Sequence, residues 1–154
     1  MDAFDNCLRN GRLQAREPDA DLIQREVETA MSELVRARTC FTDGRLEECV
    51  VQGYFAMYRL LRALLLQAGY RDTNLFSLST GIERLFAGTD GMAGLVAVLR
   101  EAKDRKDLVQ QGGRTSRKDA KTILDGAEVT YRLTRGLIPL ARFPEIRESE
   151  APPE

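Results

Sequence analysis

Residues 46–68 constrain the fold most, because this stretch is apolar on two different sides of a helix. At a rise of ~1.5 Å per residue, such a helix would be about 34 Å long. A helix with two apolar sides needs neighbours on both of them. We therefore expect it to be the central helix of a helical protein. One stripe contains Leu46, Val50, Tyr54, Met57, Leu61, Leu64 and Ala68, and the other contains Val51, Phe55, Tyr58 and Leu65.

A second amphipathic helix is predicted before this one. Asp19 or Asp21 is the expected N-cap, and apolar residues then recur at three- and four-residue steps up to Phe41. Gly44 follows, and glycine tolerates the left-handed conformation that ends many helices. Because the link through Gly44 is short, we expect the two helices to be antiparallel neighbours.

The remainder of the chain is also predicted to be helical. We expect a short helix over residues 77–86, a long one over residues 92–110, and a last one from Thr115 or Ser116 to Pro139. No segment is predicted to be a strand. The predicted fold class is all-α, as an antiparallel up-and-down bundle of four main helices plus one or two short helices.

The predicted organisation is a bundle with a different segment at each end. Residues 1–18 are expected to be a polar segment or a short helix, and residues 19–142 are expected to form the bundle. Residues 143–154 are acidic and rich in proline, so we expect a flexible acidic tail.

The sequence has no histidine, and this excludes several kinds of site. Ser-His-Asp triads, Cys-His pairs and histidine metal ligands cannot be built. Cys40 and Cys49 flank a predicted turn; we interpret them as buried free thiols, with a redox pair as the alternative. Asp104 and Asp107 offer too few oxygen ligands for a metal ion, so we expect no metal site. We also expect no cofactor.

Charge and hydropathy bear on the location of the protein. Lysine and arginine number 23 and the acidic residues 24, so the net charge does not indicate a nucleic-acid or membrane partner. Residues 1–20 are polar and show no secretory signal, and Arg59 and Arg62 interrupt the longest apolar run. We therefore expect a cytoplasmic protein without a membrane partner.

Three stretches of the sequence are similar to a known family. They are GYFAMYRLLRALLLQAGYRDTN at residues 53–74, AKDRKDLVQQG at residues 102–112 and TSRKDAKTILDGAEVTYRL at residues 115–133. Together they resemble the HEPN family (higher eukaryotes and prokaryotes nucleotide-binding domain). The likeness is greatest to its small stand-alone prokaryotic members, which often accompany nucleotidyltransferases.

The resemblance implies roles for particular residues. Arg105 matches the arginine that acts at an RNA phosphate in nuclease members of the family. Gln110 or Gly112 stands where those members carry a histidine, and Arg59 and Asn74 stand where related proteins often carry one. The resemblance therefore implies a HEPN-like bundle without the imidazoles of the nuclease members.

Arg59 and Arg62 are the first candidate site. They are three residues apart and so share one face of the central helix. One interpretation is a solvated edge, with the aliphatic stems packed along apolar surface. A second is an anion-binding pair at an interhelical cleft together with Tyr54 and Tyr58. A third is an ion pair with an acidic residue of a neighbouring helix or subunit.

A basic cluster around Gly112 and Gly113 is the second candidate. Residues 100–121 hold eight basic and four acidic residues. A diglycine loop that leads into a helix N-terminus suits phosphate, so one interpretation is a nucleic-acid-binding surface and the other is a solvated helix end. The residues assigned to nucleic-acid contact are Arg114, Arg117, Lys118 and Lys121.

The leading functional hypothesis is a HEPN-like helical interaction module with no catalytic residue. It would form a homodimer or pair with a nucleotidyltransferase-type protein, and a nucleotide or RNA phosphate would occupy an interhelical groove. The alternative is a metal-independent RNase, as in a toxin–antitoxin pair, in which Arg105 stabilises phosphate charge and Gln110 or Asn74 positions the 2'-hydroxyl. The groove residues are Tyr54, Tyr58, Arg59, Arg62, Asn74 and Arg105.

Overall fold

The computed structural model describes residues 2–139 and residue 144. Within these residues the chain is mostly helical, with six helices and one two-stranded antiparallel sheet, so the prediction of a helical fold class is confirmed. The elements in chain order are α1 Ala3–Arg9, β1 Leu13–Ala15, α2 Ala20–Thr42, α3 Leu46–Gln67, β2 Tyr70–Asp72, α4 Leu75–Leu85, α5 Met92–Gln110 and α6 Arg117–Leu137.

The ends of the long helices follow their sequence signals. Asp19 caps α2, where its side chain accepts the amides of Asp21 at 3.0 Å and Leu22 at 3.2 Å. Gly44 has φ of 77°, which is the left-handed conformation expected after this helix. Ser116 caps α6. The N-cap of α2 is therefore Asp19 and not Asp21, and the N-cap of α6 is Ser116 and not Thr115.

The central position of α3 agrees with its two apolar stripes. It packs against α2, α4, α5 and α6 and also contacts β2. The sequence suggested that Arg59 and Arg62 make α3 too polar to cross a membrane. By length and composition alone, however, α3 is long and apolar enough to do so. In the structure, 72% of its apolar window is buried inside the protein.

The prediction that no segment forms a strand is wrong. β1 and β2 pair antiparallel, with Leu13 opposite Asp72, Gln14 opposite Arg71 and Ala15 opposite Tyr70. Strands of three residues are too short for the alternation of apolar and polar residues to be recognised. The pairing matters because it ties the N-terminal segment to the chain that leaves α3.

The helix predicted over residues 77–86 begins earlier, at Leu75. Asn74 is its N-cap and accepts the amide of Ser77 at 2.8 Å, while the Ser77 hydroxyl accepts the amide of Asn74 at 3.2 Å. This reciprocal pair is a capping box with serine at the third helical position. Sequence reasoning missed it because serine is not the residue usually expected there.

Both ends of the chain bear on the domain predictions. Within the predicted polar segment, Phe4 and Cys7 of α1 and Leu13 of β1 are buried. The predicted tail, residues 143–154, lies outside the described residues except for Pro144, whose carbonyl accepts the Tyr131 hydroxyl at 3.2 Å. Cys7, Cys40 and Cys49 are all free and buried, which agrees with the interpretation of Cys40 and Cys49 as free thiols.

Candidate functional site

A cleft of about 270 Å³ lies between α3 and α5, with the start of α4 at its rim. It brings together four of the six predicted groove residues and adds two lysines of α5. Residues three and four apart on a helix share a face, which is why α3 presents tyrosines and arginines together. The cleft is lined by Tyr54, Phe55, Tyr58, Arg59, Arg62, Leu75, Lys103 and Lys106.

Arg62 is held by a carboxylate from β2. Its Nε and Nη2 lie 3.1 Å and 3.2 Å from the two oxygens of Asp72, whose side chain is fully buried. The Tyr58 hydroxyl donates to the same carboxylate at 2.6 Å, and the Arg62 guanidinium lies 4.8 Å from the Tyr58 ring centroid. These three side chains fasten the sheet to α3 and fix one wall of the cleft.

The pKa values in this group follow from burial and from Asp72. Burial and the hydrogen bond to Asp72 raise the pKa of the Tyr58 hydroxyl well above its ordinary value. Burial opposes the charged form of Arg62, but the hydrogen bonds and charge of Asp72 outweigh it and raise the pKa of the guanidinium. Tyr58 is therefore neutral and Arg62 charged throughout the physiological range.

Arg59 is paired with two acidic residues of α2. Its Nε lies 2.7 Å from Glu33 Oε1 in an ion pair that does not have hydrogen-bond geometry, and its Nη1 lies 3.5 Å from Glu26 Oε2. Burial outweighs the attraction of Arg59 and raises the pKa of Glu33. The arginines are thus ion-paired to neighbouring elements, as the third interpretation proposed, while they also line the cleft.

The α5 side of the cleft carries Lys103 and Lys106. Both lysines contact Asp107, at 2.6 Å for Lys103 and 3.2 Å for Lys106, and the hydrogen bonds from the lysines lower the pKa of Asp107. Lys106 also lies over two aromatic rings of α3, with Nζ 5.2 Å from the Tyr54 centroid and 5.6 Å from the Phe55 centroid. This cation–π contact holds the largely buried Lys106 side chain at the cleft.

The charges around the cleft are nearly balanced. Its four cations face four carboxylates, those of Glu26, Glu33, Asp72 and Asp107. An anion must therefore compete with these carboxylates. Tyr54 is buried, so the aromatic surface that remains for a ligand belongs to the partly buried rings of Phe55 and Tyr58. Chemically, the arrangement suits a ligand that combines a planar ring with a modest negative charge.

Asn74 and Arg105 do not line this cleft. The Asn74 side chain is engaged as the cap of α4. Arg105 Nη1 lies 3.2 Å from Asp119 Oδ2 on α6, and its Nη2 lies 3.9 Å from Glu101 Oε1. Sequence reasoning grouped both residues with the groove because the resemblance placed them there, and it had no information on their local partners.

The predicted basic cluster lies at the start of α6 and just before it. Arg114, Arg117 and Lys118 are exposed. The Arg117 guanidinium lies 4.1 Å from the Phe41 ring centroid, and Lys121 Nζ lies 5.7 Å from the same centroid and 3.0 Å from Asp125. Two of the four residues, Arg117 and Lys121, therefore lie over the Phe41 ring of α2, and Arg117 is at the same time exposed.

Sequence reasoning missed the buried ion pair of Arg38 on α2 and Glu128 on α6. The Arg38 Nε and Nη2 donate to both oxygens of Glu128, and the two side chains are 7% and 5% exposed. Each residue lies on the apolar face of its helix. A charged residue within an apolar stripe is the sequence signal from which this buried ion pair could have been predicted. Among the described residues, no group of three or more cysteine or acidic side chains could hold a metal ion.

Comparison with known proteins identified no relative of this chain. No protein-family model, curated protein or solved structure matches the chain.

Proposed function

We propose that the protein is a HEPN-like helical interaction module without a catalytic role. It binds a nucleotide, or a nucleotide unit of RNA, in the cleft between α3 and α5, and it pairs with a second copy or with a nucleotidyltransferase-type protein. The observation that carries the proposal is the cleft itself, in which three aromatic rings lie beside Lys106 and Arg62.

The proposal includes the arrangement of the long helices. In it α2, α3, α5 and α6 form an antiparallel up-and-down bundle around α3. The short links at residues 43–45 and 111–116 support this arrangement, because short connections favour antiparallel neighbours. The packing of α3 against the other three helices also supports it.

The pairing face is assigned to α5 and α6. Leu108 on α5 is 54% exposed, and Val129 and Leu137 on α6 are also exposed. Large apolar side chains are unfavourable in water, and a partner helix would cover them. A Val129→Glu, Leu137→Glu variant should reduce pairing, as measured by light scattering after size exclusion and by capture of the partner from native cells.

Nucleotide binding is tested by isothermal titration with adenosine monophosphate. Lys106→Met should weaken binding about tenfold, because it removes the cation beside the rings at a cost of about 1.4 kcal/mol. Arg132→Met removes an exposed cation of α6 outside the cleft, so this variant is the control and should bind as the parent does. Equal affinity of the two variants would contradict the assignment of the cleft.

The absence of catalysis is tested with RNA. The ion pairs of Arg105 with Asp119 and Glu101 favour a structural role for this arginine over a role at a phosphate. Pure protein in large excess should leave both structured and single-stranded RNA intact. RNA cleavage that is lost in Arg105→Ala would overturn this part of the proposal and support the RNase alternative.

A further inference from the structure

The outer face of the two-stranded sheet carries arginines that the cleft does not use. Successive residues of a strand point to opposite faces, and residues paired across an antiparallel sheet point to the same face. Leu13 and Asp72 are buried on the inner face, so Gln14 and Arg71 lie on the outer face. Arg12 and Arg16 are in phase with Gln14 at the two ends of β1 and are exposed.

Arg9, at the end of α1, adjoins this surface, because Arg9 and Arg12 line the same cavity. We call Arg9, Arg12, Arg16 and Arg71 the arginine face. In the part of the chain that the structure describes, none of these four guanidinium groups has an ion pair. This differs from the cleft, where every cation has a carboxylate partner.

An exposed ring and a cavity adjoin the arginine face. Phe76 is 53% exposed, and its ring centroid lies 6.0 Å from the Arg12 guanidinium carbon. Beside it is a cavity of about 350 Å³ between α1 and α4, which Arg9 and Arg12 also line. Asn6 and Asn10 contribute amide groups to its wall. A nucleobase could stack on the ring and enter such a cavity.

We propose that the arginine face, together with Phe76, binds single-stranded nucleic acid. Arginine matches phosphate geometry, and stacking on an exposed ring requires a base that is free of a duplex. Exposed Asp5 and Glu17 lie close in sequence to Arg9 and Arg16 and reduce the local charge without removing its positive sign. An acidic peptide would match the arginines but would leave Phe76 and the cavity unused, so nucleic acid is favoured.

The test measures the fluorescence anisotropy of a labelled oligouridylate of ~12 nucleotides with the full chain. Three phosphate contacts predict that affinity falls roughly 20-fold between about 50 mM and about 200 mM NaCl. Arg71→Glu should weaken binding about tenfold, whereas Arg132→Glu, an exposed arginine on α6, should have no effect. Phe76→Ala should weaken binding about fivefold, and Leu85→Ala on the same helix should not.

Several results would overturn the proposal. One is the absence of binding at low salt, and another is an equal effect of Arg71→Glu and Arg132→Glu. A third is that polyglutamate displaces the labelled RNA as efficiently as unlabelled oligouridylate does. Arg71→Glu should bind adenosine monophosphate as the parent does, because Arg71 does not line the cleft. That variant separates this surface from the cleft, so either assignment can fail without the other.

Discussion

The buried pair of Arg38 and Glu128 yields a quantitative prediction about the fold that supports the cleft. The pair joins α2 to α6, and both side chains are less than a tenth exposed. Replacing Arg38 by methionine keeps an unbranched side chain but leaves the Glu128 carboxylate buried without its guanidinium. The perturbation is thus the loss of one partner of a buried ion pair with little change in shape.

The expected cost of Arg38→Met is about 3–5 kcal/mol of unfolding free energy, which is typical when one partner of a buried pair is removed. Two hydrogen bonds to a charged group are lost, and each is worth about 1.5–3 kcal/mol, which is consistent with this range. The double variant Arg38→Met, Glu128→Leu removes both charges. Its stability should return to within about 1 kcal/mol of the parent, because well-packed apolar residues often replace a buried pair at little cost.

The assay is urea unfolding followed by circular dichroism, with the slope of free energy against urea checked for constancy. Arg132→Met, on the exposed side of α6, is the control and should change stability by less than about 0.5 kcal/mol. A cost below about 1 kcal/mol for Arg38→Met, or a double variant no more stable than the single one, would refute the reasoning.

Three further predictions follow from packing and burial. Gly126→Ala should destabilise the protein by about 1–3 kcal/mol, because the new Cβ would lie 2.6 Å from Val98 Cγ1. Gly136→Ala on the same helix places its Cβ where no atom lies within 4 Å, so it should stabilise the protein by about 0.5–1 kcal/mol. Urea unfolding measures both changes. Burial raises the pKa of Tyr54 to about 12, so its stabilising contribution is complete below pH ~10 and lost as the pH rises through 12. In Tyr54→Phe the alkaline loss of stability should therefore be shallower, as thermal unfolding across this pH range would reveal. Burial also raises the pKa of the Cys49 thiol to about 12, so Ellman's reagent should modify it only when denaturant is added.

The features that could be predicted from sequence are local ones. The apolar stripes of α3 predicted its central position because helical periodicity depends only on residues three and four apart. The caps at Asp19 and Ser116 were predicted for the same reason, since each cap bonds the chain two or three residues ahead. The association of Tyr54 with Arg62 on one wall of the cleft also follows from the geometry of a single helix.

The features that could not be predicted require contacts between distant segments. Lys106 meets Tyr54 only because α5 packs against α3, and no periodicity specifies that meeting. Asp72 lies in β2, a few residues after α3, where no sequence pattern marks it. Its ion pair with Arg62 depends on the pairing of β2 with β1. Three-residue strands lack a recognisable period, so neither the sheet nor its outer arginine face was predicted.

If both proposals hold, the cleft and the arginine face should differ in the ligands they accept, because their cations differ in whether they are ion-paired. Arg59 and Arg62 are already engaged by carboxylates of α2 and β2, so their first role is to fasten those elements to α3. A free phosphate ion entering the cleft would have to displace Asp107 from Lys106 and would gain nothing from the rings. A nucleotide bound as proposed would in addition contact the partly buried Phe55 and Tyr58 rings, so the cleft should select for the base as well as for charge. Among the described residues, no carboxylate is ion-paired to the arginine face, so the binding proposed there should depend on salt far more steeply than binding in the cleft.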